Sequence, residues 1–524
     1  MNLELLIKAI QPVNVSGPLD RDITAICYDS RRVIEGALFV ALPGEKADGT
    51  QFIDAAIDRG AAAIVSEKPG LTTRATGIQV VNARHAMADL AAAFFRQPSH
   101  RLKIAGVTGT NGKTTTTFLI KHILDTEFLR CGLIGTVRYV VGERELPADR
   151  TTPESADVHE LLWQMRSAGC KSCAMEVSSH ALALDRVRGV EFDVGVFTNL
   201  TQDHLDYHRT MEAYFEAKTL LFSGIRDQQR KKGRAVVNGD DRFGAQLANR
   251  FGHGEMEVIT YGMGHGAQFR ASDVKMDFGG TTYQLEALRK NYLVHMPFIG
   301  GFNVYNSLAA IATAHALGVN VRHAVQALAT APAVPGRLQG IPAQKPFRVF
   351  VDYAHSDDAL TNVLKTLREL NPARLIVMFG CGGNRDRAKR PKMAAAVDAL
   401  ADHAIITSDN PRKEDPLAII EDIKPGFRRL TPEIVPDRRE AIFHAIAMAQ
   451  PRDIILLAGK GHESYQEFAD HTLPFDDAAI AASALGSRTE FEAPSLRPRN
   501  PREHSEGRPL DAEERRRRRG DRDR

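Results

Sequence analysis

The chain has 524 residues, 43% of them hydrophobic and 25% charged, with a formal net charge of +3. That is the composition of a soluble globular protein with room for about three domains at ~150 residues each, and no apolar run reaches the ~18 residues of a membrane span. The excess charge sits at the end: residues 493–524 hold 11 Arg against 7 Asp or Glu, which leaves the rest at −1 and excludes a global basic footprint for nucleic acid.

The opening "MNLELLIKAI" lacks the basic-then-apolar order of a signal peptide, so a cytoplasmic location is expected. Residues 1–98 read as a small α/β unit, with short buried strands in "AAAIVSE" and "IQVV" and an Ala-rich helix in "ARHAMADLAAAFF" before the break at Gln97-Pro98. Residues 99–333 open on "KIAGVTGTNGKTTTTFLI" (103–120), an apolar run, a glycine-rich turn and a helix. Short strands are expected at 173–177, 192–198 and 234–238, a hairpin in 267–298 around Gly279-Gly280, and a helix over 303–318 ending at Gly318. "APAVPGR" (331–337) marks a joint. Residues 334–492 then alternate strand and helix, which predicts a parallel, doubly wound, Rossmann-like sheet. The fold class is therefore α/β, in three domains with a P-loop centre. The tail 493–524 has little apolar surface to bury and reads as a disordered, solvated extension, although its Arg run could touch an anionic partner.

Five cysteines, Cys27, Cys131, Cys170, Cys173 and Cys381, are an odd and sparse set, which argues against a disulfide framework. Cys170 and Cys173 form one CxxC with no second pair to complete a zinc site. Buried thiols are the expected reading.

The chemistry begins at the glycine turn. Backbone N–H groups at a helix N-terminus wrap an anion, aided by the helix dipole. Lys113 would neutralise phosphate charge and Thr114 would ligate Mg²⁺. Counting back from Gly112, the strict motif calls for glycine where this chain has Val107, so the loop is a variant P-loop. Glu176 in "MEVSSH" and His204 in "NLTQDHLDYH" end successive strands and are candidate metal ligands, His204 the less expected because magnesium prefers oxygen. On the helix over 210–223, capped by Thr210, the residues Met211, Tyr214, Phe215, Leu221 and Phe222 make an apolar stripe, and Lys218 falls on it. A desolvated lysine is a neutral nucleophile; a snorkelling stem with its head in water is the equal alternative. In the last third, four strands are followed by polar clusters: Asp352/His355, Asn384/Arg385, Asp409/Arg412 and Lys460/His462/Glu463. Ligands bind at the carboxyl ends of strands in open α/β sheets, so the four point to one shared edge.

"TGTNGKTTT", "MEVSSHAL", "NLTQDHLDYHRTMEAYFEAK", "GGFNVYNSLAA", "PGRLQ", "VDYAHSDDAL", "GCGGNRDRAKRP", "SDNPR" and "GKGHE", in that order, resemble the Mur ligases of bacterial cell-wall synthesis, and among them the diaminopimelate-adding type. The resemblance covers roughly residues 1–490 and leaves out the tail. It implies a UDP-sugar domain (1–98), an ATPase domain (99–333) and an amino-acid-binding domain (334–492). It also implies ATP-driven addition of meso-diaminopimelate to UDP-MurNAc-L-Ala-D-Glu through an acyl phosphate, by a monomer needing neither membrane nor nucleic acid.

Residue by residue, the resemblance implies an ATP cradle from Gly109, Thr110, Asn111, Gly112, Lys113, Thr114 and Thr115, with Asn303, Arg337 and Asp352. It implies Mg²⁺ on Thr114, Glu176, His204 and Lys218, the last carried as a carbamate formed with CO₂; Lys113, Lys218 and His204 are then catalytic. Ser30 and the 44–49 loop take the uridine side, and Thr151, Thr152, Ser178 and Arg186 the muramoyl dipeptide. Arg385, Asp409, Asn410, Pro411, Arg412, Gly459 and Glu463 take diaminopimelate, Arg412 gripping the second carboxylate and Glu463 the distal ammonium. The chain departs from some relatives at Arg150 and Leu184, where those carry amides. The alternatives are a sister ligase adding D-Glu, D-Ala-D-Ala or folate glutamate, which "DNPR" with "GKGHE" disfavours, and a nucleic-acid ATPase, which the near-neutral body disfavours.

Overall fold

The computed structural model describes residues 1–44, 48–69, 74–254 and 256–486. Residues 45–47 of the expected uridine loop, and the whole tail 493–524, lie outside them.

Among the described residues three large sheets are laid down in chain order, followed by a two-stranded ribbon, Tyr465–Glu467 against Thr472–Pro474. In the first, Asn14–Ser16, Thr76–Gln79, Ala63–Ser66, Leu38–Val40 and Ile26–Cys27 lie side by side, parallel except for the first pair. The Ala83–Phe94 helix covers it, capped by the Asn82 side chain on the His85 N–H. The second sheet has eleven strands. Its centre is parallel, with the P-loop strand Lys103–Thr108 between Val194–Phe197 and Ser172–Glu176. Apart from the exposed Lys103 these strands are buried along their length, which is why they read as apolar runs rather than alternations. The helices Lys113–Thr126 and Gly301–Ala316 pack together over one face; Met211–Asp227 and Ser155–Ser167 pack over the other.

Both ends of this sheet turn antiparallel. The expected hairpin over 267–298 is present as Phe269–Asp277 and Gly280–Ala287, and Lys290–Met296 adds a third strand. At the far edge Arg138–Val141 and Arg144–Pro147 form a further hairpin, turned on Gly142 at φ 64°. Its outer strand is too polar to signal itself by periodicity.

The third sheet runs Gln339–Gly340, Arg348–Asp352, Ile454–Ala458, Leu375–Phe379, His403–Ile406, Glu433–Ile434, parallel apart from its first pair. Its apolar layers lie on both faces, as a doubly wound sheet requires. Within it Arg438 and Asp477 form a fully buried ion pair, with Nη2 to Oδ2 at 2.6 Å. All five cysteines are buried and free, and no helix of the described residues is long and apolar enough to cross a membrane.

Candidate active site

The glycine turn sits where the Lys103–Thr108 strand becomes the Lys113–Thr126 helix. That helix starts on Gly112, which offers no side-chain cap, so its first N–H groups are left for another acceptor. Gly112 has φ 84°, and a Cβ there would stand 2.3 Å from Asn306 Oδ1. Gly109 has φ 148°, and its Cβ would meet Thr198 Oγ1 at 1.9 Å. The loop is pinned from below by Asn199, which accepts the Thr110 N–H on its carbonyl and the Asn111 N–H on its side chain, both at 2.9 Å. Lys113 Nζ folds back to donate to the Gly109 and Thr110 carbonyls at 2.9 and 2.8 Å. Burial draws its ammonium below the usual lysine range, and Glu176 pulls the other way.

Glu176 ends the neighbouring strand fully buried. Its carboxylate accepts from the Thr136 N–H (2.8 Å), the Thr136 hydroxyl (3.1 Å) and the Thr114 hydroxyl (3.1 Å). All three donors are neutral, and among the described residues no ion pair reaches it. A buried carboxylate that feels the Lys113 charge but has no cation in direct contact is costly, and a hard oxygen donor suits Mg²⁺. Lys218 is 1% exposed. Its Nζ donates to the Gly109 carbonyl at 2.8 Å and stands 4.4 Å from the centre of the Tyr214 ring. The head is therefore inside, not in water. Burial, reinforced by the Lys113 charge, holds the amine well below the usual lysine range. His204 stands at φ 53°, more exposed, its ring 6.0 Å from that of Tyr214 and its Nε2 3.4 Å from Asp203. No three His, Cys, Asp or Glu side chains gather as a metal site among the described residues. The expected set contains only two of these types, Glu176 and His204, with a hydroxyl and an unmodified amine. A magnesium ion completed by a carbamate would fit these oxygen donors and a lysine whose ammonium is disfavoured by burial.

The next wall comes from farther along the chain. Asn303 accepts from Asn306 Nδ2 at 3.0 Å and donates to the Ile299 carbonyl at 2.8 Å, next to Gly112. Arg337 donates from Nη2 to the Thr114 hydroxyl at 3.2 Å and stacks over Tyr353 with its guanidinium carbon 5.0 Å from the ring centre. Asp352 accepts the Leu338 and Ala354 N–H groups at 2.6 and 2.7 Å, and burial raises its carboxyl above the usual range. His462 faces Tyr353, its Nδ1 buried without a hydrogen bond, and burial holds it down to about 3.

On the other side of Glu176, Thr151 meets the Thr136 hydroxyl at 3.0 Å. Thr152 donates to the Glu176 carbonyl at 2.8 Å and accepts the Ser178 N–H at 3.2 Å. Arg186 donates to the Thr152 carbonyl at 3.1 Å and lies 3.1 Å from Glu154. Glu154, 5% exposed, also holds Arg150 at 2.6 Å and Arg84 at 3.0 Å. One buried carboxylate thus gathers three guanidiniums. Ser30 lies apart, in a 3₁₀ turn capped by Asp29.

The four polar clusters of the third sheet do meet. The Gly459 N–H donates to the Asp352 carbonyl at 3.1 Å, and a Cβ on Gly459 would come 2.6 Å from Asp409 Oδ2. Asn410 accepts from Lys460 Nζ at 3.0 Å and donates to Glu463 Oε2 at 2.8 Å. Pro411, next in the chain, is buried. The Gly383 N–H donates to the Asn410 carbonyl at 2.9 Å, and Arg412 Nη1 to the Gly383 carbonyl at 2.9 Å. Arg412 and the exposed Arg385 flank Gly382: a Cβ there would lie 3.0 Å from Arg412 Nη1 and 3.8 Å from Arg385 Cγ.

Three family models match in order along the chain: the Mur ligase family catalytic domain over residues 22–95, the Mur ligase middle domain over 107–314, and the Mur ligase glutamate ligase domain over 336–461. This chain belongs to the Mur ligase family. The chain is 44% identical over 492 residues (93% of this chain, 98% of the relative) to the UDP-N-acetylmuramoyl-L-alanyl-D-glutamate–2,6-diaminopimelate ligase of Solibacter usitatus. It is 46% identical over 474 residues (89% and 96%) to the enzyme of the same name from Geobacillus kaustophilus. Among solved structures it matches a ligase of that name with a TM-score of 0.68 at 33% identity, covering 92% of this chain and 98% of the other. An ADP complex of MurF from Thermotoga maritima, at 18% identity and a TM-score of 0.62 (89% and 98% covered), shares the fold.

The structure of this Mur ligase adds residues that its sequence did not single out. Thr136 holds Glu176 by two bonds, Asn306 closes the glycine turn, and Glu154 gathers the arginines. Thr136 stands two residues past the Cys131–Ile134 strand, at the "IGT" end of residues 131–136, which is the one signal it gave.

Proposed function

We propose that this chain is an ATP-dependent amide ligase that adds meso-diaminopimelate to UDP-MurNAc-L-Ala-D-Glu in peptidoglycan precursor synthesis, forming ADP and phosphate. The observation that carries the acceptor is the approach of Arg412 and the Arg385 side chain to the same side of Gly382, with Glu463 tied to the neighbouring Asn410. Two guanidiniums and a carboxylate complement the far end of diaminopimelate, which bears both a carboxylate and an ammonium. The relatives that share most of this chain's length carry that activity in their names.

In this reading residues 1–98 hold the uridine side through Ser30, and 334–492 bring the amino acid. Thr151, Thr152, Ser178 and Arg186 seat the dipeptide beside Glu176. The substrate's free carboxylate oxygen attacks the terminal phosphorus, and ADP leaves. The amine nitrogen of the acceptor then attacks the acyl carbon, loses a proton, and phosphate leaves as the amide forms. Lys113 and the first N–H groups of its helix offset the charge that gathers on the phosphate. Asn303, Arg337 and Asp352 fix the nucleotide. Mg²⁺ would supply further neutralisation, held by Thr114, Glu176, His204 and a carbamate on Lys218. That carbamate forms when the neutral Lys218 amine adds to CO₂ and releases one proton, which puts an anion where a buried ammonium would be out of place. Much of the rate then comes from positioning.

The test is phosphate release with UDP-MurNAc-L-Ala-D-Glu, ATP, Mg²⁺ and a panel of amino acids. Turnover requiring both the nucleotide-sugar dipeptide and diaminopimelate is expected. Turnover stimulated by nucleic acid, or by lysine as well as by diaminopimelate, refutes the assignment.

A further inference from the structure

The guanidinium of Arg412 already has an anion on it. Nε donates to Glu467 Oε2 at 2.8 Å, and Nη1 to the Gly383 carbonyl at 2.9 Å. Nη2 has no hydrogen bond to a described residue. A carboxylate is gripped bidentately by two neighbouring N–H groups along one edge of the guanidinium. The Nε–Nη2 edge is one of these, and Glu467 stands on it.

Glu467 is built into that place. It lies on a two-stranded ribbon, Tyr465–Glu467 against Thr472–Pro474. Its N–H donates to Asn410 Oδ1 at 3.0 Å, and its carbonyl accepts the Arg412 N–H at 3.0 Å. The side chains differ from the backbone in one respect: Glu467 is 42% exposed and Arg412 20%. An ion pair open to water on that scale is weak and exchangeable, whereas the backbone bonds on either side keep the two residues in register without it. Arg412 itself sits at φ 53°, a left-handed conformation that only such surroundings maintain.

We infer that Glu467 is an internal stand-in for the distal carboxylate of the acceptor. It occupies Arg412 while the acceptor pocket is empty and gives up the Nε–Nη2 edge when substrate arrives. The inference rests on the reading of Arg412 given above and extends it to a residue that sets acceptor affinity. A diamino acid with a terminal carboxylate replaces Glu467 like for like. Lysine brings no anion, so the Arg412–Glu467 pair persists and lysine gains nothing from the arginine. Every binding event with diaminopimelate must therefore break an existing pair, and removing Glu467 relieves that cost for the dicarboxylic acceptor alone.

The experiment uses the full chain with ATP, Mg²⁺ and UDP-MurNAc-L-Ala-D-Glu, varying diaminopimelate alone and in the presence of lysine as a competitor. Glu467→Gln and Glu467→Ala should lower KM for diaminopimelate about two- to fivefold, the range of an exposed ion pair. Its kcat should stay within about twofold, and the Ki of lysine as a competitor of diaminopimelate should not move. In the Arg412→Ala background the Glu467 effect should vanish. An Arg412→Ala variant whose KM for diaminopimelate is unchanged sinks the Arg412 reading itself. If instead Arg412→Ala raises that KM while the Glu467 variants leave it unchanged or raise it, Glu467 merely positions Arg412 and the inference is overturned. Thermal melts check that the variants fold.

Discussion

Lys218→Met separates what Lys218 does for the reaction from what it does for the fold. The parent buries an amine at 1% exposure with one hydrogen bond, to the Gly109 carbonyl at 2.8 Å. Removing that bond costs about 1 kcal/mol. Against this, burial holds the amine well below the usual lysine range, and each pH unit over which it must be kept deprotonated costs about 1.4 kcal/mol of folding free energy. The sign follows from proton counts. Between the lowered pKa of the folded amine and 10.5 the unfolded chain binds a proton that the folded chain does not, so parental stability rises with pH across that window. Methionine is of similar length and carries no such penalty. In CO₂-free buffer without ligands, Lys218→Met should therefore be at least as stable as the parent at pH 7.5, by up to a few kcal/mol. The advantage should shrink as pH climbs toward 10.5. Amide formation should fall by at least about a hundredfold, and added bicarbonate should not restore it. Urea melts from pH 7 to 10, paired with phosphate release, make the measurement. A variant clearly less stable than the parent at pH 7.5, or one with full activity, refutes the reasoning.

Gly112→Ala forces a Cβ to within 2.3 Å of Asn306 Oδ1 at φ 84° and should cost about 1–3 kcal/mol, read as raised KM for ATP or a lower melting temperature. Arg438→Met strands the Asp477 carboxylate in a fully buried site; a loss of about 3–5 kcal/mol is expected in denaturant melts, and a double change with Asp477→Leu should recover much of it. His159 and His462 are held by burial at about 4 and about 3. Because each binds a proton more readily when unfolded, stability should fall as pH drops below 6.5, and His462→Gln should flatten part of that slope.

Local chemistry announced itself; partnership across the sheets did not. The glycine turn, the Thr210 cap and the strand before Glu176 were readable because each is a short-range pattern. Lys218 on an apolar stripe was readable as a conflict, and only the Gly109 carbonyl 109 residues away shows which side of it holds. Thr136 could not be singled out, because its function is to meet a strand forty residues later. Arg84 and Arg150 were equally mute, since nothing local says that Glu154 is buried between them. Arg412 was legible from "DNPR", but Glu467 was not: the contact needs a ribbon whose strands are three residues long.

The Thr114 hydroxyl, at the heart of the phosphate turn, hands its hydrogen to Glu176 and takes one from Arg337, more than two hundred residues onward. In the function proposed above, fuel and acceptor are thus wired to one oxygen atom. If Arg337 and the segment beyond it swing out, that atom loses a donor, and in the proposed reading the grip on the nucleotide is dismantled together with the amino-acid pocket. An enzyme wired this way resists burning fuel on water, since the parts that spend it and the parts that choose the acceptor come together or not at all.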